Sequence, residues 1–441
     1  MIRLSDHFTT RRLLRFTLPS ITMMLFTSVY LVVDGYFVSN FVGKNALATV
    51  NMIYPVIMIV GAIGFMFGTG GSALVAKTLG EGDEKKARKR FSTIYLASAL
   101  SGLAIALPAM LFLPEIAAFL GATGELLGNC IIYGRILLLT SVLFLIQMES
   151  QIFFVAAEKP RLGLMMTVCA CGTNMVLDYL FCALFRWGIP GAAGATAISQ
   201  AIGGIIPLLY FSINRKGKLY FVRPEPDFRA IRKSASNGLS ELVSNISSAV
   251  VSMLFNAQLL HFAGEDGVAA YSVLMYVSMV FVAVFLGLSS GSAPIISYCY
   301  GAENHEELKS LTRKLITLTV ISSLFMLAFS ITMARPLSHL FVGYDEALYE
   351  MTVRGFLIYS LSFLFAGVSI FASSFFTALN NGIVSAVISL LRTFILQTLS
   401  VLILPRFLGL DGIWLSIDVA EVIAFFLSLF FLLKLRKTYH Y

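Results

Sequence analysis

Residues 45–76 read NALATVNMIYPVIMIVGAIGFMFGTGGSALVA, thirty-two positions without an Asp, Glu, Lys or Arg. A helix crosses the hydrocarbon core of a bilayer in ~20 mostly apolar residues, so this stretch alone is long enough to span. Residues 91–114, 187–214, 242–264, 267–302 and 355–391 are uncharged in the same way. Over all 441 residues the chain is 58% hydrophobic and 13% charged, with a mean hydropathy of +0.84. An ordinary soluble domain carries ~25% charged residues, so this composition excludes a soluble enzyme, a nucleic-acid-binding domain and a disordered scaffold. The chain is an integral membrane protein.

Gly, Pro and charged clusters divide it into twelve predicted helices. Helices 1 to 6 cover 13–38, 46–77, 88–113, 125–154, 162–184 and 190–214, and helices 7 to 12 cover 237–261, 267–299, 309–333, 346–378, 382–404 and 411–434. Of the 32 Lys and Arg residues, twenty-five fall in the termini and even-to-odd loops, against four (Lys44, Arg186, Arg335, Arg406) on the other side. Cytoplasmic loops carry the excess of Lys and Arg, so both termini are expected in the cytoplasm of a cell that holds the protein in its plasma or inner membrane. The same bias accounts for the net charge of +8 without a nucleic-acid partner. The apolar run after Arg15 lacks a small-residue cleavage pattern and reads as a retained first helix rather than a signal peptide.

The chain repeats itself at an offset of 221 residues. Ala46-Leu47-Ala48 pairs with Gly267-Val268-Ala269, Gly70 with Gly291, Gly80 with Gly301, Ala157 with Ala378, Gly188 with Gly409 and Gly191 with Gly412. Six spans per repeat make the repeats parallel, related by an axis along the membrane normal. The predicted fold is therefore all-α: two pseudo-symmetric six-helix bundles around a central cleft. The N-terminal lobe covers 1–214, a basic linker with Pro224 and Pro226 covers 215–236, and the C-terminal lobe covers 237–441.

Where the repeats differ is informative. Asp34 pairs with Phe255, Asn174 with Ile395, Asp178 with Leu399 and Thr196 with Ile417, so the first repeat carries four oxygen-bearing side chains where the second is apolar. Asn174 and Asp178, four residues apart, share a helix face, and the depths of all four within helices 1, 5 and 6 agree. A carboxylate at the bilayer centre costs ~2.5–3.5 kcal/mol, and two together repel. Such a pair shares a proton or gains a cation, and either couples transport to an ion gradient. Asp34, followed by Gly35, can alternatively be an interfacial residue near a helix end.

Other embedded polar residues are less specific. Glu241, Glu149, Gln147 and Arg135 either line the cleft, where Gln147 and Glu241 are assigned to a substrate cavity, or form ion pairs within a lobe. Asp418 and Glu421 on helix 12 are similar, and Arg392 on helix 11 is expected to snorkel toward the surface. Gly61, Gly64, Gly68 and Gly71 form a smooth helix stripe for packing. Cys130, Cys169, Cys171, Cys182 and Cys299 show no CxxC spacing and read as small packing residues, with neither a metal site nor a disulfide frame implied. No G-x-x-x-x-G-K-[ST] stretch is present for ATP.

Asp34-Gly-Tyr-Phe-Val-Ser with Ala46-Leu47-Ala48, Gly70-Gly71-Ser72-Ala73 running into Gly80-Glu-Gly-Asp83, Asn174-x-x-x-Asp178 with Gly191–Thr196, and the repeated Gly301-Ala302 together resemble the multidrug and toxic compound extrusion (MATE) family over nearly the whole chain. The resemblance implies a V-shaped cleft and export of bulky, often cationic or amphipathic compounds in exchange for H⁺ or Na⁺. It implies no organic cofactor, and small organic substrates and membrane lipid are the expected partners of a monomer. By match of position, Asp34, Asn174, Asp178 and Thr196 would form the coupling site, possible Na⁺ ligands among them. Pro19 matches a helix-1 proline associated with bending, and Tyr30 and Tyr133 match aromatic residues near the lobe cavity. A branch of the family with carboxylates on helices 7 and 10 is not matched, since helix 10 has none deep in the membrane and Glu241 sits too early. Two other readings compete with this one. A flippase of lipid-linked saccharides would want a cleft rich in Arg and Lys, and a membrane enzyme would want a cluster of interfacial His, Asp or Ser. The five histidines (His7, His261, His305, His339, His440) are scattered.

Overall fold

The structure, a computed structural model, describes residues 2–441 and, among them, contains helices but no strand. Ten helices are long and apolar enough to cross a membrane, and the bent pair Glu346–Tyr359 and Ser362–Ala378, meeting at 46°, adds an eleventh. Of the ten, Phe228–Gly301 is two helices run together across Gly264, whose φ of 64° and ψ of −152° are not helical. Twelve crossings result.

Helix 1 is Thr10–Phe37, extended by a π-helical turn at Val38–Val42; helix 2 is Lys44–Gly80, helix 3 Glu84–Leu111 and helix 4 Gly124–Ala156. Helix 5 is Pro160–Asp178, again with a π-helical continuation at Tyr179–Leu184, and helix 6 is Gly188–Ile213. Helices 7 and 8 are residues 228–263 and 265–301; helix 9 is His305–Val342, and helix 10 is the bent pair. Helix 11 is Gly382–Leu408 with a π-helical stretch at Leu391–Leu396, and helix 12 is Leu410–Tyr439.

The helix starts follow local chemistry. Asp83 and Asn304, 221 residues apart, cap helices 3 and 9 by accepting from the backbone N–H groups of Lys86 at 2.9 Å and Glu307 at 3.0 Å. Gly43 at φ 110° and Gly264 at φ 64°, again one repeat apart, reverse the chain between helices 1 and 2 and between 7 and 8. Both stand in a backbone region that glycine enters without steric cost. Two boundaries differ from expectation. The second part of the predicted linker, from Phe228, is already helix 7, because Asp227 caps it by accepting from the Ala230 N–H at 3.0 Å. A short helix, Leu113–Phe119, stands in the predicted loop after helix 3, where Pro114 occupies a first-turn position that proline favours.

Helices 1, 5 and 6 pack on one another, as do 2 with 4 and 10 with 12, each half having its own apolar core. The halves meet mainly near the end of the molecule that holds both chain termini. There helix 2 lies on helix 7 so closely that a Cβ on Gly238 would stand 1.9 Å from the Met66 carbonyl oxygen. Helix 8 lies on helix 1 in the corresponding way, with a Cβ on Gly291 reaching 3.3 Å from the Thr17 Cα. The N-terminal arm straps the same end: the Leu4 N–H donates to Glu158 at 2.7 Å and the Phe8 N–H to Glu307 at 2.8 Å, one carboxylate in each half.

Candidate functional site

Asp34 stands four residues before the π-helical end of helix 1, and Asp178 is the last residue of helix 5 before its own π-helical turn. π-Helical turns break the regular ladder and recur at functional sites. Counting from the end of the molecule opposite the termini, Asp178 lies about 9 Å deep and Asp34 and Thr196 about 12 Å deep at the rise of a helix. The two carboxyl groups meet side chain to side chain. Asn174, one turn before Asp178, donates from Nδ2 to the Thr196 Oγ1 at 3.3 Å, tying helix 5 to helix 6. The structure thus brings all four predicted residues to one place.

What the Asp178 carboxylate lacks is a hydrogen-bond donor. Asp178 and Asn174 are fully buried, and both carboxylate oxygens of Asp178 and the Oδ1 of Asn174 have no hydrogen-bond partner. Two facing carboxylates both charged at about 4 Å would repel by about 4 kcal/mol at an effective dielectric near 20. A proton or a small cation would relieve that repulsion, and Asp34, Asp178 and the free oxygen of Asn174 are the groups that could hold it.

Tyr30 and Tyr133 lie within electrostatic range of both aspartates. Tyr54 on helix 2 lies in range of Asp34, Cys182 in range of both acids, and Cys171 beside Tyr30. Tyr54 was not anticipated. Its counterpart one repeat later is Met275, so the search for polar residues unique to one half could have found it. Cys171 and Cys182 are buried as expected, whereas Cys169 is exposed, which corrects its reading as a packing residue: it stands on the outer face of helix 5. The side chains of Ser39 and Leu47, in the helix 1–2 signature, and of Lys44 lie outside the described residues.

The other predicted residues fall elsewhere. Pro19 is buried in helix 1 near the terminal end, where it lines a cavity of about 900 Å³ together with Arg11, Arg15 and Arg161. Gln147 is buried between helices 4 and 6 against Gly203, and Glu241 is half-buried one turn after Asn237. Arg135 is exposed, while Glu149 is fully buried beside Tyr95 and Ser98 with neither oxygen hydrogen-bonded, so the two form no ion pair with each other. Arg392 does not snorkel. Its Nε and its second terminal nitrogen each reach Glu421 at 2.9 Å inside the C-terminal half, because a buried carboxylate offers a guanidinium a two-point contact that the membrane surface does not match.

Comparison with known proteins agrees with this fold. The family model MatE matches the chain twice, at residues 19–180 and 242–402. The multidrug export protein MepA of Staphylococcus haemolyticus (strain JCSC1435) is 24% identical over 439 residues, covering 97% of this chain and 94% of that protein. MepA of Staphylococcus aureus (strain MRSA252) is 24% identical, with 93% and 90% covered. Among solved structures, a MATE in complex with MaL6 superposes with a TM-score of 0.93 at 21% identity, with 98% of each chain covered. A multidrug resistance MATE family transporter in an outward-facing conformation superposes with a TM-score of 0.90 at 22% identity, again with 98% of each covered. The doubled match, the twelve crossings and the shared fold make the chain a member of the MatE family of membrane transporters.

Proposed function

We propose that this chain is a secondary active exporter, an antiporter that expels small organic, often cationic compounds in exchange for H⁺ or Na⁺. It works as a monomer in the plasma or inner membrane with both termini in the cytoplasm, needs no organic cofactor and performs no enzymatic step. The observation that carries this reading is the pair of facing carboxylates, Asp34 and Asp178, with both oxygens of Asp178 buried and unpartnered. The names of the staphylococcal relatives, multidrug export proteins, support the substrate class.

With the termini in the cytoplasm, the tight packing of helices 2 and 7 and of helices 1 and 8 closes the cytoplasmic end. A cation taken up from outside neutralises Asp34 and Asp178. The repulsion between helices 1 and 5 then disappears, and helix 1 repacks against helix 5 and narrows the space that holds the organic compound. Loss of the cation to the cytoplasm restores two negative charges, which favour the next cationic substrate. Tyr30 and Tyr133 give that substrate aromatic faces beside the acids. Ethidium efflux from proteoliposomes, with a pH gradient and a Na⁺ gradient imposed separately, tests the reading. Efflux driven by one of the two supports it, and efflux driven by neither removes it.

A further inference from the structure

The C-terminal half has its own buried acid on the helix that corresponds to helix 6. Asp418 on helix 12 is 4% exposed, and neither carboxylate oxygen has a hydrogen-bond partner. It lies about 12 Å below the start of its helix at Leu410, by the helical rise. Its pseudo-symmetric counterpart is Ala197, next to Thr196. The C-terminal half therefore places an acid at nearly the depth of the site in the N-terminal half, on the equivalent helix, one residue further along.

The surroundings of Asp418 come from four elements. Its carboxylate lies beside the backbone of Ser362, the first residue after the break in helix 10. Tyr359, the last residue before that break, faces Asp418, Glu421 and Arg392, and its hydroxyl shares a 2.8 Å hydrogen bond with Ser278 of helix 8. Tyr271, also on helix 8, lies within electrostatic range of Tyr359. On its own helix the neighbouring acid is Glu421, which pairs with Arg392 of helix 11, at the start of the π-helical stretch Leu391–Leu396. Toward the start of helix 12, Arg354 and Asp411 pair with each other at 2.5 Å.

Charge accounting singles out Asp418. Both contacts of the Arg392 guanidinium go to Glu421, so that pair is neutral and Asp418 is left without a counter-charge. A buried ionised carboxylate without a partner is too costly to persist. A metal ion brought to Asp418 and Glu421 would stand against the fixed guanidinium, whereas a proton on Asp418 meets no such opposition. Interrupted helices at mid-membrane depth are where transporters hold their coupling ions, and here the acid lies against the break itself.

We propose that Asp418 is a second proton-binding site, in the C-terminal half, placed so that loading it acts on the break in helix 10. Its role in transport rests on the exporter reading, but proton binding can be read without transport. In pH-difference infrared spectra of the D34N/D178N protein in lipid, a protonated-carboxyl band is expected to appear on acidification. Adding D418N should remove one such band, and D418E should restore it at a shifted frequency. The same bands in D418N as in its parent, or a carboxyl band of Asp418 that does not respond to pH, would overturn the proposal. A D418N protein that does not fold is covered by D418E, whose unshifted spectrum would count equally against it. If native protein shows no ion-driven efflux while the Asp418 band persists, the exporter reading fails and the proton site stands.

Discussion

Gly80 and Gly301, one repeat apart, make the same contact with the opposite half of the chain. A Cβ on Gly80 would stand 2.2 Å from the carbonyl oxygen of Tyr298, and a Cβ on Gly301 would stand 2.1 Å from that of Lys77. Lys77 and Tyr298 are themselves 221 residues apart, so the two contacts exchange under a two-fold axis between the halves. Backbone meets backbone there, leaving no flexible side chain to give way. The duplication seen in sequence is thus carried into the closure of the terminal end.

From this closure follows the effect of bulk at the axis. Gly301→Val and Gly80→Val are each expected to lower stability by about 1–3 kcal/mol, the usual cost of overpacking, and to part the halves at that end. Thermal unfolding of purified protein reads the first effect and crosslinking of cysteines placed across helices 2 and 8 the second. A native midpoint with native crosslinking would show that the backbones do not touch.

The acid pair makes a sharper prediction. Asp34→Asn and Asp178→Asn are each expected to cut ethidium efflux at least about tenfold, equivalent to about 1.4 kcal/mol, while expression and folding stay intact. Either variant transporting at the native rate would remove the proposed coupling mechanism.

Glu421 is 3% exposed on its side chain and Arg392 16%. Removing one partner of such a pair costs about 3–5 kcal/mol, while replacing both by apolar residues of similar volume is close to neutral. Arg392→Ala should therefore lower the unfolding midpoint strongly, and Arg392→Met with Glu421→Leu should restore most of it. Equal loss in the single and double variants would mean that the pair's packing, and not its charge, holds helices 11 and 12 together.

The N-terminal arm bonds one carboxylate in each half, through Leu4 to Glu158 and Phe8 to Glu307, and buries both side chains. Deleting residues 2–8 is expected to loosen the terminal end. Spin labels across helices 1 and 8 should then show a larger share of molecules open on that side, and an unchanged distance distribution would show that the arm is ornamental to closure.

Much of the arrangement was legible because its causes are local or periodic. Uncharged runs of span length gave the helices, and the glycines at 43, 188, 264 and 409 mark chain reversals that the structure makes with positive φ. Comparing the repeats singled out Asp34, Asn174, Asp178 and Thr196, which the structure brings together. The same comparison failed at Arg392. Its counterpart is Cys171, and a lone cation next to apolar neighbours gives no sign of a partner that lies on another helix. The π-helical turns beside Asp34 and Asp178 also have no sequence signature here, since their residues are ordinary helix formers.

The amino-acid sequence by itself determined that the chain crosses a membrane, how many times, and that it is built twice, because hydrocarbon admits only long apolar helices and a duplication preserves spacing. Which acids face each other, which end of the molecule is closed, and that Asp418 stands unpartnered at a broken helix were decided only by the tertiary structure. Those facts depend on the rotation and crossing of helices far apart in the chain, and a periodic pattern along one helix does not contain them.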